Sequence, residues 1–97
     1  MRLMMRFTIP VEKGNRAAKD GTLGKAIDAL LERAKPEASY FMMDGGERGG
    51  LIFFETDDQA ELTVLNEPMF AALDAAIEIV PVLTADDLRR GLAKVET

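Results

Sequence analysis

The segment Arg2–Ile9 near the start of the chain has an apolar residue at every second position, which predicts a first β-strand. Its apolar residues fall on one side of an extended chain, as a half-buried strand requires: Leu3, Met5, Phe7 and Ile9. Pro10 ends the strand. The polar stretch Val11–Gly21 that follows contains several turn-forming residues and predicts a loop with a short helical turn.

From Thr22 the apolar spacing changes to that of a helix, with Lys35-Pro36 ending it. Thr22 is the predicted N-cap of this helix. The apolar stripe consists of Leu23, Ile27, Leu30, Leu31 and Ala34.

Two further strands are predicted over Ala38–Asp44 and Leu51–Glu55. Between them Gly45–Gly50 contains four glycines, which predicts a hairpin and the most mobile internal segment of the chain. The segment does not match a phosphate-binding loop, because its glycine spacing differs and it does not open a helix.

A second helix is predicted after Thr56, with Gln59 completing a capping box and Pro68 breaking or kinking the helix. The fourth strand is predicted over Ala75–Leu83. Thr84 caps a last helix whose apolar face is formed by Ala85, Leu88, Leu92 and Val95.

The resulting order, β-α-β-β-α-β plus a C-terminal helix, predicts an α+β, ferredoxin-like fold with an antiparallel sheet. Right-handed crossovers place the first strand between the third and fourth, with the helices on one face of the sheet. A length of 97 residues favours one domain spanning residues 1–97.

The sheet is predicted to need a second cover, because strands two to four carry apolar residues on both faces. The economical cover is a second copy of the chain, with the two sheets packed face to face about a twofold axis. The alternative is that the C-terminal helix folds across the open face.

The chain resembles the dimeric α/β barrel superfamily, and within it a group of small bacterial proteins of unknown function. That resemblance implies a barrel formed by two ferredoxin-like units, and relatives that include isomerases, cofactor-free monooxygenases and ligand-binding domains. It rests on nearly the whole chain, including Thr8-Ile9-Pro10-Val11-Glu12, Asp20-Gly21-Thr22-Leu23, Lys35-Pro36-Glu37-Ala38, Glu67-Pro68-Met69-Phe70 and Pro81-Val82-Leu83-Thr84.

The composition of the chain excludes several kinds of partner and catalytic site. The net charge of -5 argues against nucleic acid as a partner. The chain contains neither Cys nor His, which excludes disulfides, the usual zinc sites, and Ser–His–Asp or Cys–His catalysis within it. We therefore expect no metal and no cofactor. The absence of Cys is typical of a cytoplasmic protein, and no signal peptide or membrane span is predicted.

The candidate ligand-binding residues are Arg6, Tyr40 and Glu78. Arg6 and Glu78 lie on neighbouring strands, on the side opposite the core residues, and are expected to meet. One interpretation is a polar spot in an apolar cavity that holds a carboxylate or enolate-like oxygen. The other is a structural ion pair.

Three functions remain open at this stage. The first is a homodimer that binds a small organic molecule in the barrel. The second is a cofactor-free isomerase or monooxygenase that acts on an activated ring or enolate. The third is a structural or interaction module with a filled barrel.

Overall fold

The structure is a computed structural model and describes residues 1–96. In that part of the chain no helix is both long and apolar enough to cross a membrane. Its elements follow in the order β1 (Arg2–Ile9), α1 (Val11–Asp20), α2 (Thr22–Ala34), β2 (Ala38–Asp44), β3 (Glu47–Glu55), α3 (Ala60–Leu73), β4 (Ala76–Pro81) and α4 (Ala85–Glu96).

The four strands form one sheet in the order β2-β3-β1-β4, with every neighbouring pair antiparallel. The predicted position of β1, between β3 and β4, is confirmed. The protein is thus an α+β protein, and its element order is compatible with a ferredoxin-like fold.

Helices α1, α2 and α3 cover one face of the sheet, where the core lies. The predicted apolar side of β1 is fully buried there, and so are the alternate residues of β3. The core consists of Leu3, Met5, Phe7, Ile9, Ala17, Leu30, Ile52, Phe54, Leu65, Met69, Leu73 and Ala75.

The prediction of a loop over Val11–Gly21 is wrong, because ten of these residues form α1. Only Gly14 and Ala17 are buried on this helix. Small residues leave no apolar stripe for a periodicity argument to detect. The guanidinium of Arg48 occupies the space where a side chain at Gly14 would lie, and Gly21 ends the helix in the left-handed region, at φ 84°.

Two predicted helix starts differ from the structure. Thr22 is the first residue of α2, and the N-cap position is occupied by Gly21. The Thr22 N–H donates to Asp20 Oδ1 at 2.9 Å, which closes a turn between α1 and α2. The Thr56 hydroxyl caps a turn at Asp58, and α3 begins only at Ala60.

Pro68 was predicted to break or kink the third helix, but α3 continues through it to Leu73. Proline removes one backbone hydrogen bond and is costly inside a helix. Leu65 and Met69 are buried on either side of Pro68, and their packing against the core stabilises the helix across the defect.

The hairpin between β2 and β3 is shorter than predicted. Only Gly45 and Gly46 form the turn, both with positive φ, and β3 already begins at Glu47. Gly49 and Gly50 are buried within the sheet. The Phe7 ring covers Gly50 so closely that a Cβ there would lie 2.4 Å from its Cζ.

The predicted cap of α4 is confirmed as a reciprocal capping box. The Thr84 hydroxyl accepts the Asp87 N–H at 3.0 Å, and the Thr84 N–H donates to Asp87 Oδ2 at 3.1 Å. This bond from the Thr84 backbone is the main reason why the pKa of Asp87 lies below its ordinary value.

Within residues 1–96, no other helix or strand makes an extensive contact with α4. Its apolar residues Leu88, Leu92 and Val95 are 51–81% exposed. The alternative that α4 folds across the open face of its own sheet is therefore wrong for this chain, and the open face remains uncovered.

Candidate functional site

The open face is the side of the sheet that α1–α3 do not cover, and strand pairing arranges its side chains in rows across the four strands. The Arg6 row consists of Tyr40, Leu51, Arg6 and Glu78. The Met4 row beside it consists of Ala38, Phe53, Met4 and Val80. All three predicted ligand residues therefore share one row of the open face.

The predicted contact between the side chains of Arg6 and Glu78 is wrong, although the two residues are direct partners in the β1–β4 register. Its guanidinium instead reaches Asp44 on the far strand β2. Nε and Nη2 both lie 2.9 Å from Asp44 Oδ2. Arg6 therefore does form an ion pair, but its partner is the carboxylate of Asp44 and not that of Glu78.

Gly49 explains how Arg6 crosses the intervening strand β3. It lies on the open face between Thr8 and Met42. A Cβ at this position would lie 3.3 Å from the Asp44 Cβ, which is tighter than ordinary contact. The missing side chain leaves a shallow path over β3 along which the arginine and Asp44 meet.

Glu78 has no hydrogen bond or ion pair within residues 1–96. Together with Arg6, Asp44 and Thr8 it lines a small cavity of about 100 Å³. The formal charge of this cluster is -1, from two carboxylates and one guanidinium, so a bound carboxylate would be repelled more than an uncharged polar group.

Tyr40 lies on the same row but two strands away from Arg6, at roughly 10 Å by the spacing of strands in a sheet. Its side chain is exposed and borders Leu51. The structure thus places Arg6 and Glu78 side by side and Tyr40 at the opposite edge of the same surface.

The Met4 row gives the open face its apolar character, since it contains no charged side chain. Val80, at the β4 edge, is 41% exposed, and the other three members are half-buried by their neighbours. Glu55 and Arg2 follow on the next row and pair with each other at 3.6 Å. The apolar Met4 row is therefore flanked on both sides by rows that contain charged side chains.

A second concavity, on the helix side, was not predicted from the sequence. It encloses about 380 Å³ at the end of the sheet near the N-terminus. Its apolar floor comes from β1, β4 and α3, and its polar wall from the turn before α3. Its lining residues are Met1, Leu3, Thr56, Asp57, Gln59, Leu62, Ile79 and Pro81.

The full sequence was compared with known protein families. Residues 1–96 match the family described as "Domain of unknown function (DUF3303)". The chain belongs to this family. A search of curated proteins finds no match.

Membership in DUF3303 confirms the predicted resemblance at the level of a family of unknown function. The match covers the whole of the α+β structure described above. It assigns no substrate, and the placement in the dimeric barrel superfamily stays a prediction.

The acidic residues around the start of α3 act as structural groups. Asp58 Oδ1 accepts the Ala60 N–H at 3.0 Å. The Glu61 carboxylate accepts two hydrogen bonds from Arg33 on α2, which lower the pKa of Glu61 and tie the two helices together. Among residues 1–96 no three acidic side chains converge as metal ligands would.

Proposed function

We propose that the protein is a homodimeric, ferredoxin-like α/β barrel that binds a small organic molecule between its two paired sheets. Each protomer contributes its open face, so that the barrel interior contains two copies of the Arg6 row and two of the Met4 row. The observation that carries the proposal is an uncovered sheet face with a central apolar row beside one polar cluster.

An exposed apolar row in the middle of a sheet is unfavourable in water, and burial against an identical row removes that cost. A twofold axis makes the interface self-complementary, so one chain supplies both halves.

The polar cluster favours a ligand with both a hydrogen-bond donor and an acceptor. Two guanidinium nitrogens of Arg6 are engaged by Asp44, and Nη1 is left to donate to a ligand oxygen. Glu78 is placed to accept from a hydroxyl or amine of the same ligand. We therefore infer an uncharged polar compound rather than the carboxylate or enolate-like oxygen considered from the sequence.

The dimer is tested by light scattering on a matched pair of variants. Val80→Asp places a charge in the Met4 row, whereas Val64→Asp places one on the outer surface of α3 at a site of similar exposure, 45% against 41%. We expect twice the 10.6 kDa chain mass for the unmodified protein and for Val64→Asp, and a monomer for Val80→Asp. A monomeric unmodified protein would overturn the proposed dimer.

Ligand binding is tested by native mass spectrometry of freshly purified protein, and by fluorescence of 1-naphthol, an uncharged probe whose hydroxyl can both donate to Glu78 and accept from Arg6. Glu78→Gln is expected to keep the dimer but weaken probe binding about tenfold, because a charge-assisted hydrogen bond is lost. Asp57→Asn, in the cleft on the helix side, is the control and should leave binding unchanged. A dimer that retains no small molecule and binds no probe would refute the ligand proposal and leave the dimer intact.

A further inference from the structure

The proposed dimer makes no use of the cleft between the end of β4 and the turn before α3, which we call the N-terminal cleft. Its volume of about 380 Å³ lies within the range of about 300–1,000 Å³ that is typical of small-molecule sites. Face-to-face pairing buries the opposite side of the sheet. The N-terminal cleft is therefore open both in the single chain and in the proposed dimer.

The floor of the N-terminal cleft is apolar and only partly covered. Leu3 and Pro81 are register partners on β1 and β4, and with Ile79 they lie on the core side of the sheet. Leu3 is buried, whereas Ile79 is half-buried and Pro81 is exposed. α3 begins only at Ala60 and contributes Leu62 to the floor. An apolar surface therefore remains here for the hydrocarbon part of a ligand.

The polar wall of the cleft is formed by the turn before α3. It contains Asp57 and Gln59, whose side chains are exposed and make no hydrogen bond or ion pair within residues 1–96. Gln59 occupies the N-cap position of α3 but does not cap the helix through its side chain. One carboxylate and one amide are thus free to bind a ligand at the rim of the apolar floor.

The charge of this region favours a cation. The segment from Glu55 to Glu61 carries four carboxylates and no cationic side chain. Three of the four are engaged, because Glu55 is paired with the terminal amino group at 3.3 Å, Asp58 caps α3, and Glu61 is paired with an arginine of α2. Asp57 is the carboxylate of this segment that has no partner, so it attracts a cationic ligand and repels an anionic one.

We propose that the N-terminal cleft binds a small primary amine with a short apolar group, such as an arylalkylamine. An ammonium group has three N–H donors, so it can donate to the Asp57 carboxylate and to the Gln59 amide oxygen at the same time. The apolar group then lies on Leu62 and Ile79. This inference does not depend on the proposed dimer or on its ligand, because it concerns the other side of the sheet and other residues.

The polar wall distinguishes an amine from the neutral and acidic compounds of the same shape. An alcohol keeps the apolar contact but replaces the charge-assisted hydrogen bond with a neutral one, which is roughly half as strong. A carboxylic acid places its charge beside Asp57 and is repelled. The three classes of ligand can therefore be separated in one experiment.

The test is an NMR titration of the isotope-labelled full chain with 2-phenylethylamine at pH 7, where the amine is protonated as the lysine side chain is. We expect saturable chemical-shift changes centred on Gln59, Leu62 and Ile79. 2-Phenylethanol should bind about fivefold more weakly or worse, and phenylacetate about tenfold more weakly or worse.

A matched pair of variants tests the role of the carboxylate. Asp57→Asn should weaken binding of the amine about tenfold, because it removes the charge and keeps the shape of the side chain. Asp28→Asn removes the same charge from an exposed carboxylate of α2 that also has no partner within residues 1–96. This control should leave the affinity unchanged within about twofold.

Four results would overturn the inference. The first is the absence of saturable shifts with the amine. The second is 2-phenylethanol binding as tightly as the amine, which would show an apolar groove without selectivity. The third is an equal effect of Asp57→Asn and Asp28→Asn, which would reduce the attraction to the net charge of the chain. The fourth is a set of shifts centred on the Arg6 row, which would place the amine on the open face.

Discussion

Replacement of Gly50 by Ala tests how tightly the sheet is packed against its helix-covered face. An ideal Cβ at Gly50 would lie 2.4 Å from Cζ and 2.6 Å from Cε1 of Phe7, and 3.2 Å from Cδ1 of Phe41. Phe7 is only 1% exposed and is held in β1, which is paired with a strand on each side. The ring cannot move aside without disturbing the core.

The magnitude follows from two opposing effects. Overpacking of a core by one methyl group costs about 1–3 kcal/mol. Replacement of glycine restricts the unfolded chain and returns about 0.4–1 kcal/mol. We expect a net loss of about 1–2 kcal/mol in the free energy of unfolding, with a melting temperature lowered by ~4–8 °C per kcal/mol.

Thermal and urea unfolding at fixed protein concentration measure this loss. Gly24→Ala is the matched control, because nothing lies within 4 Å of a Cβ at this helical position. It should stabilise the protein by about 0.5–1 kcal/mol. Adding Phe7→Leu to Gly50→Ala should cost less than the sum of the two single losses. A Gly50→Ala protein as stable as the unmodified one, or strict additivity with Phe7→Leu, would refute the packing argument.

Three further predictions concern the surface of the protein. In the proposed barrel the Arg6–Asp44 pair lines a water- or ligand-filled cavity, so Arg6→Met should cost only about 0.2–1 kcal/mol in urea unfolding; a loss above 3 kcal/mol would show that the site is dry. Acidification should fray α4. The pKa of Asp87 is lowered in the folded protein, so its carboxylate stabilises the helix at pH values above its ordinary pKa, and this stabilisation is lost as the pH falls through the pKa of the folded state. An equal change of helicity with pH in Asp87→Asn would contradict this prediction. Backbone order parameters should dip at Gly45–Gly46 only and stay high at Gly49, and a dip extending to Gly49 would contradict the observed pairing.

Elements with a strong apolar period were predictable because burial itself imposes that period. β1 and β2 have the predicted bounds, and α2 ends at the predicted proline boundary. α1 was not predictable in this way, because Gly14 and Ala17 form its buried face. It is in close contact with the β3 residue Arg48, which is distant in sequence.

The candidate site, too, could be predicted only in part from the sequence. Strand order and alternation placed Arg6 and Glu78 opposite each other on one face, and the register confirms that placement. The partner of Arg6 could not be predicted, because Asp44 lies two strands away and the contact depends on the missing side chain of Gly49. The cleft at the N-terminal end could not be predicted either, since its lining comes from three separate segments of the chain.

The sequence by itself determined the α+β class, the position of β1 in the sheet and the sides of β1 and β4 that enter the core. These follow from local periodicity and from the handedness of connections, which act within neighbouring residues. Only the tertiary structure decided that Pro68 stays inside α3, that Arg6 pairs with Asp44 and that α4 stands away from its own sheet. Each of these depends on contacts between distant segments, or on their absence, and the energy of such contacts is not encoded in any local pattern.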